Sequence, residues 1–97
     1  MKIILNRDYG AFSLSLEQAN LLGFDWVNES NKDNLPGINY DELRTNPLLI
    51  SSVEAGDKGG NFAALEVFTI PDDSFYLVKE FDGLEFLFYS ASPLKMI

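Results

Sequence analysis

Apolar and polar positions along this chain fall into two rhythms, an every-other-residue alternation in its last third and a three-to-four residue spacing in two short stretches before it. The alternating part is clearest at FYLVKEFDGLEFLFY, residues 75–89, which predicts a β-hairpin. Asp82-Gly83 marks its reversal, because a two-residue type I′ turn needs positive φ at both central positions, which Gly accepts freely and Asp tolerates. The turn sets the register: Phe81 pairs with Leu84, Lys79 with Phe86, Leu77 with Phe88 and Phe75 with Ser90. That face is mostly apolar and is expected to be the core side. The opposite face pairs Glu80 with Glu85, Val78 with Leu87 and Tyr76 with Tyr89.

Before the hairpin, Phe62 to Ile70 predicts a strand with Leu65 and Val67 on one face and Glu66, Phe68 and Ile70 on the other, stopped by Pro71-Asp72-Asp73. Lys2 to Leu5 is a short apolar run suited to a strand buried on at least one face, followed by a loop from Asn6 to Phe12 around Gly10. The helical spacing comes twice. Ser15 stands at an N-cap with Gln18 in capping-box position, Leu16, Ala19 and Leu22 share a face, and Gly23 supplies the left-handed stop. Asn46 caps a second helix with Pro47 at its first position, Leu48, Leu49, Ser52 and Val53 follow, and Gly56 ends it. Between the two lie a long polar loop from Phe24 to Asn39 around Trp26 and a further turn at Tyr40 to Thr45, and Lys58 to Asn61 reads as a flexible connector. The order predicts one α+β domain over residues 1–97, an antiparallel sheet of three to four strands with two short helices packed on one face.

Composition narrows the chemistry. The chain has neither Cys nor His, which removes disulfides, thiolate nucleophiles, the usual proton shuttle near neutral pH and the commonest zinc ligand. Ser-His-Asp and Cys-His hydrolases, zinc fingers, histidine-ligated haem proteins and redox dithiols are excluded with them. Fifteen acids against seven bases give a net charge of −8, which repels nucleic-acid backbones and anionic membranes and attracts basic surfaces. No direct nucleic-acid binding is expected. With MKIILNRDY too short an apolar run for a signal peptide and no stretch near the ~20 apolar residues of a membrane span, a cytoplasmic protein without membrane contact is the expectation.

Several segments, taken in order, carry a family likeness. MKIILNRDYGAFSLS at the start, RTNP at 44–47, GNFAALEVFTIPDD at 60–73 and VKEFDGLEF at 78–86 together resemble an uncharacterised family of small acidic bacteriophage and prophage proteins. The resemblance implies a phage or mobile-element setting in a bacterial host cell and no assigned activity. Relatives often carry Cys at the position of Asp8 and Gly at that of Ala11, so a thiol role in that loop does not extend to this chain. The closing ASPLKMI also lacks the basic and aromatic tail associated with that family.

Four constellations bear on function. Glu80 opposite Glu85 sets like charges across a strand pair, which costs a few tenths of a kcal/mol in water unless a cation or basic partner screens them. With Glu66 alongside they make weak candidate ligands for magnesium or calcium. NRDYGAFSLS could hold a phosphate at a helix start with Arg7 beside it, but it lacks a glycine-rich run and favours a plain turn, with Arg7 and Asp8 as a surface pair and Tyr9 and Phe12 in the core. Trp26, Tyr76, Val78, Leu87 and Tyr89 form an interaction patch if the second sheet face is open, or a small second core if the long loop covers it. Finally, acids cluster between Asp25 and Glu42 and between Glu66 and Glu85, an array able to imitate a nucleic-acid backbone in a basic channel.

The expected function is a non-catalytic binding protein without cofactor, a monomer or homodimer. It engages, and inhibits, a host or phage protein with a basic surface through Trp26, Tyr76, Val78, Glu80, Asp82, Glu85, Leu87 and Tyr89. The alternatives are a carboxylate-dependent divalent-metal or ligand-binding domain or small enzyme using Glu66, Glu80 and Glu85, and a self-assembling structural component built on an exposed strand edge.

Overall fold

A computed structural model describes residues 1–24 and 39–92. Among these, four strands and three short helices follow in the order β1 (Lys2–Asn6), α1 (Leu16–Leu21), α2 (Tyr40–Leu43), α3 (Pro47–Glu54), β2 (Leu65–Thr69), β3 (Phe75–Phe81) and β4 (Leu84–Ser90). The class is α+β, as expected. The strands do not join into one sheet, however: β1 pairs antiparallel with β2, and β3 with β4, as two separate ribbons.

The β1–β2 ribbon is the middle layer. Its register sets Ile4 opposite Val67 and Ile3 opposite Phe68. Neighbours along a strand point to opposite faces, so the short run Ile3-Ile4-Leu5 supplies both sides of the ribbon at once, and all three are buried. Ile4 joins Leu65, Phe12, Leu14, Leu43, Leu49 and Val53 in a core on the helix side. Ile3 and Leu5 join Ile70 in a second core, against which Phe68, Tyr76, Val78 and Leu87 pack from β2 and the hairpin. Among the described residues, no helix is long and apolar enough to cross a membrane.

The helices start where the sequence places them. Ser15 caps α1 through Gln18, with both halves of the capping box present, and Asn46 caps α3 by accepting from the amides of Leu48 and Leu49, with Pro47 in the first turn. Burial follows the expected faces except at their first positions: Ala19 is inside and Leu22 partly buried on α1, with Gln18 buried beside them, while Leu16 is exposed, and Leu49 and Val53 are inside on α3 while Leu48 is exposed. Gln18 is tolerated there because its amide donates to the carbonyl of Asp57 at 3.0 Å while its oxygen serves the capping box.

The hairpin has the expected turn and the expected register, from Phe81 with Leu84 to Phe75 with Ser90. Its faces are reversed. Tyr76, Val78, Glu85 and Leu87 point toward the ribbon, whereas Phe75, Phe81, Phe86 and Phe88 face solvent. Asp82 and Gly83 have φ of 51° and 92°, as the turn requires. A Cβ built on Gly83 would meet the Ala11 amide nitrogen at 2.4 Å, so the turn lies directly on the loop after β1.

Candidate functional site

The reversal has a local cause, a buried polar cluster around Glu85. This residue is 4% exposed, and its carboxylate receives the Arg44 guanidinium edge-on, Nη1 to Oε1 at 2.7 Å and Nη2 to Oε2 at 2.6 Å. The Asn6 amide donates to the same Oε1 at 2.7 Å. Arg44, itself 6% exposed, also gives Nη1 to the Ile4 carbonyl and lies 5.1 Å above the Phe12 ring. Ile4 in turn donates its amide to the Arg44 carbonyl at 2.9 Å. The carbonyl and side chain of Arg44 and the side chain of Glu85 thus occupy the edge of β1 that β2 leaves free, and among the described residues no further strand pairs there.

Electrostatically the cluster is closed. Burial pushes the Arg44 guanidinium down, but the hydrogen bonds and charge of Glu85, and then of Asp41, outweigh it and hold the group above its ordinary value. Fork-to-fork geometry of this kind combines two charge-assisted hydrogen bonds with a fixed orientation. Asn6, fully buried, completes the seam: its amide group donates to the carbonyls of Asp8 and Gly83 and its oxygen accepts from Ala64. Arg7 reaches across to the Glu85 carbonyl and lies 5.2 Å from the Phe86 ring centre. β1, α2 and the hairpin are bolted together through these groups.

The sequence-expected contact residues therefore separate. Tyr76, Val78 and Leu87 are partly buried in the second core and Glu85 is spent on Arg44, which leaves Glu80, Asp82 and Tyr89 of that set exposed. Glu80 caps the turn, accepting from the Gly83 amide at 2.7 Å. Trp26, and most of the loop expected to cover this face, lie outside the described residues. The three carboxylates expected as weak metal candidates are not assembled: Glu66 and Glu80 are exposed, Glu85 is buried with Arg44, and among the described residues no group of three acids could hold a metal ion. Arg7 turns to the hairpin rather than to Asp8, and Tyr9 is 63% exposed rather than docked in the core. The start of α1 is occupied by the chain's own groups, since the Ser15 hydroxyl donates to Asp57.

What sequence reasoning missed is the outer face of the hairpin. Phe75, Phe81, Phe86 and Phe88 are 47, 65, 40 and 54% exposed, beside the half-buried Leu77 and Leu84, and Lys79 is the one charge among them. Exposed acids stand at both ends, Glu80 and Asp82 at the turn and Asp72 and Asp73 at the opposite end. The signal was in the pairing itself: a register that opposes two glutamates is relieved when one of them meets a cation, and the buried Arg44 is such a cation. A comparison with protein-family models gives no match, and comparisons with curated proteins and with solved structures give none either.

Proposed function

We propose that this chain is a non-catalytic binding protein that docks another protein on the outer face of the β3–β4 hairpin. The observation that carries the reading is the exposure of four phenylalanines on one strand-paired surface. Contiguous apolar area of this kind on a monomer marks a contact site, and aromatic rings lose little rotamer freedom when covered. The acids at either end give the partner its character, an apolar patch bordered by Lys and Arg. The phage setting that the family likeness implies would make the partner a host protein, and the net charge of −8 suits occlusion of a basic groove as the effect.

The test is capture from bacterial lysate by immobilised protein, wild type against a Phe81→Ser, Phe88→Ser variant whose melting is checked separately. Loss of a specific partner in the variant, with weaker capture of that partner by wild type at high salt, is the expected result. Each ring at the centre of such a contact is worth about 2 kcal/mol or more. Equal capture by both proteins would overturn the reading.

A further inference from the structure

Beside the outer face lies a second feature, an open groove of about 440 Å³ lined by Phe68 and Thr69 at the end of β2, by Ile70 just after it and by residues 86–89 of β4, over Leu5 and next to Arg7. Successive side chains of a strand point to opposite faces, so a groove touched by every residue of such a run follows the strand's edge. Among the described residues each of these strands has a second edge that no strand covers, since β2 pairs only with β1 and β4 only with β3. In a two-residue hairpin the pair flanking the turn exchanges main-chain hydrogen bonds and the pairs then alternate. Leu87 and Tyr89 therefore aim their amide and carbonyl groups away from β3, along with Glu85. The Glu85 carbonyl already accepts from Arg7, which shows this edge taking a donor from outside its sheet.

We infer that the groove receives an extended segment of a partner protein, added as a fifth strand along β4. Charge fixes its chemistry. Among the described residues Arg7 is the only charged side chain lining the groove, and an adjoining recess that shares Tyr89 contains Asp72 and Asp73. Asp72 is paired with the Met1 ammonium at 2.6 Å, leaving Asp73. The segment that fits is apolar in its middle, acidic where it meets Arg7 and basic where it meets Asp73. Main-chain pairing supplies affinity in such additions, and alternate side chains supply choice. A second copy of this chain, at net charge −8, is the poorer occupant.

The probes are two acetylated, amidated hexapeptides, Lys-Val-Thr-Val-Thr-Glu and its reverse, titrated into isotope-labelled protein and followed by amide shifts and amide exchange. One direction is expected to shift Leu87 and Tyr89 and slow their exchange. The same peptide N-methylated at alternate residues is expected to do neither. Tyr89→Pro removes the groove-facing donor while sparing the β3 ladder, since proline is tolerated at an edge position whose amide is unpaired; it should weaken binding at least tenfold with little change in melting temperature. Three results would overturn the inference: no binding of either peptide at millimolar concentration, equal binding of the N-methylated peptide, or the same shifts arising from protein self-association alone. Shifts confined to Phe75 and Phe81 would do so too while leaving the outer-face reading intact, so the two fail separately.

Discussion

The outer face of the β3–β4 hairpin is the more apolar of the two, yet the inner face is packed against the ribbon and the outer is open. On the inner face Tyr76, Val78 and Leu87 surround a glutamate; on the outer face four phenylalanines surround a lysine. Transfer of apolar area alone, at about 25 cal/mol per Å², would favour burying the phenylalanines. The polar anchors decide otherwise. Of the two faces the inner one carries the carboxylate that meets Arg44 and the Asn6 backbone amide, and with that face inward the turn carbonyl of Gly83 accepts from the Asn6 side chain. Hydrophobicity makes the hairpin adhere; specific charge and hydrogen-bond geometry choose its side.

The largest way to break this comparison is to remove one anchor. Glu85→Ala leaves the Arg44 guanidinium and the Asn6 amide buried without their acceptor, and a loss of about 3–5 kcal/mol is expected in urea unfolding. Arg44→Met with Glu85→Leu should recover part of it, because no charge is then stranded. If Glu85→Ala proved neutral, the anchors would not be what selects the face.

A finer cut compares neighbours on β4. Leu87→Ala, on the packed side, is expected to cost about 2 kcal/mol, whereas Phe88→Ala, on the open side, should stay within about 0.5 kcal/mol despite its larger side chain. Chemical denaturation of the two variants in parallel checks this, and the opposite order would reverse the face assignment. An effect smaller than the difference between those two variants sits in the loop under the turn. Ala11 has φ of 73°, a left-handed conformation that favours glycine. Ala11→Gly should therefore raise stability by up to about 1 kcal/mol, read as a rise of a few degrees in melting temperature.

Local features were legible in the sequence because neighbouring residues determine them. The Ser15–Gln18 capping box, the Asn46-Pro47 start of α3 and the Asp82-Gly83 turn with its register each depend on fewer than about ten residues, and each is present. The hairpin's orientation was not legible, because it rests on a partner 41 residues away, Arg44, in a segment read only as a turn. The split into two ribbons has the same origin, since side chains of Arg44 and Glu85 take the β1 edge where a single sheet would have continued. Of the candidate contact residues, Glu80, Asp82 and Tyr89 remain accessible, and the phenylalanines were passed over because apolar alternation was equated with burial.

Arg44 is synthesised well before the acid that neutralises it. A nascent chain emerging from the ribosome holds this cation, and the bare rim of its first strand, without their complement until the final quarter has been translated. A stop codon placed ahead of residue 85 would therefore release a product whose helices are capped but whose interior guanidinium is left with the exposed carboxylate of Asp41 in place of Glu85.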